Sequence, residues 1–152
     1  MAKKKEHKIG VVGIGNTLRG DDGIGAYICL QIDGWNMEGV TTFVTQQLHT
    51  GLIDDLLPFD FIILADAAVT GGPVVFYPLK KDESQPVSSS HHINANLLVS
   101  LAQRLHGKEL PVMICAVKGE NFDMGNQLSP SAVTNANRAI NIIRYWIESG
   151  CH

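Results

Sequence analysis

Lys8 to Gly25 reads KIGVVGIGNTLRGDDGIG. An apolar run, Ile9 to Ile14, breaks into Gly15 and Asn16, then Gly20, then the paired acids Asp21 and Asp22, then Gly23 and Gly25. A short apolar run followed by clustered glycines predicts a buried strand, a tight loop and a helix. Glycine in such a loop lets the backbone take positive φ or approach another group closely. Two adjacent carboxylates in that setting point to a cation or a proton. A dinucleotide fingerprint would need a third glycine, and Leu18 stands in its place. A pyrophosphate would also lie against Asp21 and Asp22, where like charge repels it. No Lys followed by Ser or Thr completes a phosphate cradle. The loop is built for something positive.

Beyond the loop, helical and strand patterns alternate. Ile24, Tyr27, Ile28 and Ile32 share one helical face, and Asp33-Gly34 ends that helix. Val40 to Thr45 is rich in β-branched and aromatic residues and predicts a strand. Thr50 is expected to cap a short helix with Leu52, Ile53, Leu56 and Leu57 inward, closed by Pro58. Phe59 to Ala65 is the strongest strand signal, ending at Asp66. Its near-continuous apolar character suits a central strand buried on both faces.

Gly71-Gly72-Pro73 turns the chain into Val74 to Leu79, a strand expected to be antiparallel because the connection is short. Lys80 to Ser90 reads as a flexible polar loop. A helix follows with Ile93, Leu97, Leu101 and Leu105 at spacings of four, His106 in its last turn and Gly107 as C-cap. Pro111 to Val117 is a further strand, and Lys118 to Leu128 a polar connection. Ser129-Pro130 has the order of N-cap and first helical position, before a stripe of Val133, Ala136, Ile140, Ile143 and Ile147. The pattern predicts a three-layer α/β/α fold with a mostly parallel, roughly five-stranded twisted sheet.

A chain of 152 residues without an interior linker is expected to form one domain, 1–152, with residues 1–6 as a frayed, lysine-bearing end. A net charge of −3 argues against nucleic acid or an anionic membrane as partner. No apolar run reaches transmembrane length. Cys29, Cys115 and Cys151 show no CxxC spacing, which suggests a reducing cytoplasm without a structural disulfide. Thiol nucleophile chemistry is not expected of Cys29 or Cys115, which lie in apolar surroundings. The Gly-x-Ser-x-Gly elbow and the His-Glu-x-x-His zinc motif are both missing.

In α/β sheets, ligands bind outside the carboxyl ends of the strands. Asp21 and Asp22 follow the first strand, Asp66 closes the central one, and His91 and His92 lie at the start of a helix. These positions could meet at one edge of the sheet. Two carboxylates and an imidazole with open positions suit a borderline divalent metal. Each has a plainer reading: Asp22 as a helix cap, Asp66 as a turn residue, and the histidines as loop residues. His49, after the second strand, is better read as a polar residue at a helix start.

The segment Gly13 to Gly25, GIGNTLRGDDGIG, resembles the opening motif of the [NiFe]-hydrogenase maturation endopeptidases. The resemblance continues through Ile63-Leu64-Ala65-Asp66-Ala67, the serine-rich approach to His91, and Leu128-Ser129 before the final helix. Those enzymes remove a C-terminal extension from the hydrogenase large-subunit precursor after nickel insertion. The resemblance implies Asp22 and Asp66 as acidic metal contacts and His91 as the imidazole, because Ile93 and Leu98 then fit the pattern beyond it. His92 is the adjacent competitor. The Gln47-Leu48 pair is similar to members serving cofactor-coupled cytoplasmic hydrogenases.

It further implies an aspartyl-type, cytoplasmic endopeptidase in which Asp22 or Asp66 is the general base. Nickel comes with the substrate, either polarising the scissile carbonyl or serving in recognition alone. The partner is the large-subunit precursor, with no nucleic acid or membrane, and a monomer is the default oligomeric state. Two other readings stand beside this one: a nucleotide-binding module using the Gly13-to-Gly15 loop, and a nickel carrier without catalysis.

Overall fold

The computed structural model describes residues 7–80 and 90–152, apart from the side chains of 90–94. Strand β1 (Ile9–Ile14) is buried along its whole length. Parallel partners flank it on both sides, β2 (Val40–Thr45) and β3 (Phe61–Ala68). Strand β5 (Val112–Lys118) runs parallel to β3, and β4 (Val74–Pro78) lies antiparallel on β5. The sheet order is β2-β1-β3-β5-β4. From β1 the chain steps outward to β2, crosses back to β3, and then builds away on the other side. The switch in direction therefore falls between β1 and β3, where such folds open a crevice.

Helices α1 (Ile24–Asp33) and α4 (Pro130–Glu148) cover one face, with α2 (Leu52–Leu56) and α3 (Ser90–His106) on the other. The alternation of β3 sorts the two cores. Ile63 and Ala65 pack with Ile28 of α1 and Ile143 of α4. Ile62 and Leu64 pack with Leu56 of α2 and Leu98 of α3. Each fully buried isoleucine of this kind stabilises the fold by about 1.5–3 kcal/mol. Trp146 of α4 closes the first core, edge-on to Phe61 at 5.3 Å and Phe76 at 5.7 Å.

The start of α4 follows the sequence expectation. Ser129 accepts the Ala132 N–H at 3.2 Å, with Pro130 as the first helical residue. Gly107, at φ +61, ends α3 in the left-handed conformation, its N–H donating to the Gln103 carbonyl.

Three expectations need correction. On α3 the buried residues include Ala95, Leu98 and Ala102, whereas Leu97 and Leu105 are 55% and 68% exposed. A repeat of four overshoots the helical turn by about 40° at each step, so the leucine stripe winds off the sheet. The two alanines are fully buried in the core on that face instead. Helix α2 has Gly51 at its N-cap and no side-chain cap, so Thr50 contributes only its carbonyl, which accepts the Ile53 N–H. Strand β3 does not stop at Asp66 but pairs on through Ala67 and Ala68 with Val117 and Lys118. Strand β4 is antiparallel, as its short connection suggested, and its partner is β5. The predicted loop Lys80–Ser90 falls, from 81 to 89, outside the described residues.

Candidate active site

The carboxyl edge of β1 and β3 is assembled from the glycine loop and from Asp66. Gly15, at φ +139, turns the chain out of β1 in a conformation that side chains rarely adopt. Any Cβ there would overlap the carbonyl oxygen of Asp22. Gly13 and Gly25 serve a different purpose, bringing strand and helix into contact. A Cβ on Gly25 would lie 2.6 Å from the Ala65 carbonyl oxygen and from the Ile14 nitrogen. The glycines thus hold α1 against the seam between β1 and β3.

Asp22, partly exposed in a 3-10 turn (Gly20–Gly23), accepts the Asn16 N–H on Oδ2 at 2.7 Å. Its backbone rests on Gly15, one residue beyond Ile14, and Ile14 is the cross-strand partner of Asp66. Both carboxylates therefore occupy the same rim, at the switch point of the sheet. Asp66 is 8% exposed. Side chains alternate along a strand, so it shares the face of Ile62 and Leu64, the face that α3 covers.

Helix α3 approaches that rim with its first turn. Its far end lies near the amino edge, where the Pro111 carbonyl accepts the Ile62 N–H and His106 stands 3.7 Å from Asp54 of α2. Seventeen helical residues span roughly 25 Å. Ser90, His91 and His92 accordingly begin at the carboxyl edge. The side chains of His91 and His92 lie outside the described residues. Among the described residues, no group of three or more His, Cys, Asp or Glu is gathered to hold a metal. His49 is exposed, and its carbonyl accepts the Leu52 N–H, which makes it a helix-start residue.

Asp21 departs from the expectation that both acids face a cation. It is completely buried. Its carboxylate accepts the N–H groups of Glu120 (2.7 Å), Asn121 (2.9 Å) and Ser129 (2.7 Å), and the Ser129 hydroxyl at 2.7 Å. Burial pushes its pKa up, but the amides of Asn121, Glu120 and Ser129 and the serine hydroxyl together outweigh that and hold it below the ordinary value. No sequence pattern announces this, because the donors sit about a hundred residues away and are mostly backbone. The N-cap order of Ser129-Pro130 was the nearest signal.

These bonds also weigh against an anion in the loop. The amides of Asn16, Glu120, Asn121 and Ser129, which a phosphate could have used, already serve the chain's own carboxylates. The buried thiols of Cys29 and Cys115 are poorly suited to act as nucleophiles. Burial pushes both Cys29 and Cys115 up to about 12. All three cysteines are free, and no helix among the described residues is long and apolar enough to cross a membrane.

No family model matches the chain, and no curated protein matches it. Solved structures do. The hydrogenase maturating endopeptidase HybD from E. coli superposes with a TM-score of 0.73 at 22% identity, over 94% of each chain. The [NiFe] hydrogenase maturation protease HybD from Thermococcus kodakarensis gives 0.71 at 18% identity, over 92% of this chain and 99% of its own. The [NiFe] hydrogenase maturation protease HycI from Thermococcus kodakarensis KOD1 gives 0.73 at 18% identity, over 94% of each chain. At these identities the likeness establishes a shared fold.

Proposed function

We propose that this chain is an endopeptidase that removes the C-terminal extension of a [NiFe]-hydrogenase large-subunit precursor after nickel insertion. The observation that carries the reading is the placement of Asp22, packed on Gly15 just past β1, and Asp66 of β3 at one edge of the sheet, in a fold shared with solved hydrogenase maturation endopeptidases and proteases. The donor set fits a borderline divalent ion. Asn16 occupies one oxygen of Asp22, and the hydrogen bonds among the described residues leave the other open. Asp66, the cross-strand partner of Ile14, is the second carboxylate of this reading, and His91 or its neighbour His92 its imidazole.

In this reading nickel belongs to the substrate. Asp22, Asp66 and His91 grip the ion already held by the precursor, and docking sets the scissile peptide beside the carboxylates. Orientation of that kind supplies a large part of a hydrolytic barrier. The substrate's nickel either adds Lewis acidity at the carbonyl or serves in recognition alone. One carboxylate, Asp22 or Asp66, takes a proton from water as its oxygen bonds to the peptide carbon. The same proton then passes to the departing amine nitrogen as the C–N bond breaks, so the carboxylate ends unprotonated. Free thiols suit a reducing compartment, and we place the reaction in the cytoplasm.

The test is single-turnover cleavage of nickel-loaded and nickel-free precursor, read by intact mass. The expected result is loss of the tail from the loaded precursor alone. Cleavage of both at equal rates would refute recognition through nickel. Micromolar binding of NAD or ATP, unaffected by Asp22→Ala, would instead favour a nucleotide-binding module. Tight nickel binding without any trimming would favour a carrier.

A further inference from the structure

Asp21 is the one charged side chain among the described residues with no accessible surface, and the reaction outlined above does not use it. We propose that Asp21 is a positioning residue that fixes Asp22 at the rim by locking the loop 15–23 onto the connection 119–129. The part concerning cleavage rests on the proposed function; the lock itself does not.

The lock has two components. The first is the Asp21 carboxylate, which collects the four donors from Glu120, Asn121 and Ser129. The second is a backbone ladder between the same segments. Gly20 N–H donates to the Gly125 carbonyl at 2.8 Å, Asp21 N–H to the Asn121 carbonyl at 2.8 Å, and Gly125 N–H to the Leu18 carbonyl at 2.9 Å. The fit extends to carbon. A Cβ on Gly119 would lie 2.7 Å from the Cβ of Asp21, so a glycine leaves room for the acid to enter. Ser129 joins the lock to α4, since the hydroxyl that donates to Asp21 also caps the helix by accepting from Ala132.

Asp22 depends on this lock because the hydrogen bonds of its N–H and its carboxylate stay inside its own loop. Its N–H donates to the Arg19 carbonyl at 3.1 Å and its carboxylate accepts from Asn16. Neither bond ties it to the strand that carries Asp66. The relation between the two carboxylates is set by whatever anchors the loop. At its ends the loop is held by β1 and α1, and between them the Asp21 carboxylate and the backbone ladder supply the anchor. A shift of about 1 Å at a catalytic group can lower a rate by roughly a hundredfold.

Asp21→Asn is the informative change, because an NH2 group must then face at least one of the donors now bound, whichever way the amide turns. The experiment pairs hydrogen exchange at the Asn16 amide with steady-state cleavage of nickel-loaded precursor. It compares wild type, Asp21→Asn, Ser129→Ala and a core control, Ile143→Val, under conditions where circular dichroism shows each folded. Asp21→Asn is expected to lower kcat/KM by about tenfold or more and to reduce Asn16 protection beyond its change in global stability. Ser129→Ala, which removes one of the four donors, should do the same more weakly. Ile143→Val should lower Asn16 protection no further than its stability requires.

Wild-type cleavage and Asn16 protection in both loop variants would overturn the proposal. So would an equal loss in Ile143→Val at matched stability. If Asp21→Asn does not fold, Ser129→Ala decides by the same two readouts. If wild type fails to cut the precursor, the function is wrong and Asn16 exchange alone judges the lock: loss supports it, retention overturns it.

Discussion

On the α4 side of the carboxyl edge, Asp21 collects four donors and is sealed from water, whereas Asp22, next in the chain, takes one amide and stays partly exposed. A carboxylate saturated with charge-assisted hydrogen bonds is held in its ionised form and has little capacity left for a ligand. A carboxylate with an open oxygen at a rim is available to a cation or a proton. The pair teaches that adjacent acids in a glycine loop need not share a role. One secures the loop and the other is presented by it.

The sharpest way to break this comparison is to remove the carboxylates of the rim. Asp22→Ala and Asp66→Ala should each abolish precursor trimming, by about a hundredfold or more, the scale of a lost general base or ligand. Asp22→Ala should cost only about 1 kcal/mol of stability, since it gives up one hydrogen bond. Cleavage assays beside urea denaturation would show both. A fully active Asp22→Ala would dissolve the distinction between anchor and presented acid. His91→Ala should also abolish trimming, and the same loss in His92→Ala alone would reassign the imidazole.

Asp21→Ala should invert that profile in stability. Three backbone amides and a hydroxyl would lose their acceptor inside the protein, at a cost of about 3 kcal/mol or more. The acid dependence follows from the lowered pKa of Asp21. A carboxylate whose folded pKa lies below its unfolded value contributes stability that is fully present above the unfolded pKa. That stability is lost as pH falls from about 3.9 through the folded value. Wild type should therefore lose stability in acid more steeply than Asp21→Asn, as followed by denaturant midpoints. Equal slopes would contradict the account of the clamp.

A smaller effect is expected at the helix–strand contact. Gly25→Ala places a methyl group against the Ala65 carbonyl and the Ile14 nitrogen, and should destabilise by about 1–3 kcal/mol. Gly72→Ala, with nothing within 4 Å of the added carbon, should stay within about 0.5 kcal/mol of wild type. Thermal midpoints of the two variants would test whether Gly25 is there for packing.

Much of the fold was legible because the apolar runs are unambiguous. Ile9–Ile14 and Val40–Thr45 are strands over the residues that their composition marks. Ser129-Pro130 starts α4 where its cap chemistry requires. The errors have physical causes. The leucines of α3 are regularly spaced in sequence but wind around the helix, and the small Ala95 and Ala102, which carry little hydrophobic signal, took the contact with the sheet. The partner of β4 was left open by the sequence, because its pairing with β5 is set by tertiary packing that no local turn encodes. In the candidate site, the placement of Asp22 and Asp66 followed from the strand-end rule, applied to residues on each side of the switch point. The separation of Asp21 from Asp22 was not legible, because its cause is a set of backbone donors on a loop about a hundred residues further on.

The most direct test of the central claim is X-ray absorption at the nickel edge of the loaded precursor, alone and in complex with this protein. Added oxygen and nitrogen neighbours at nickel should appear on complex formation with wild type and diminish with Asp22→Ala or Asp66→Ala. A nickel spectrum unchanged by a bound, folded wild-type protein would contradict the claim that these carboxylates grip the partner's ion.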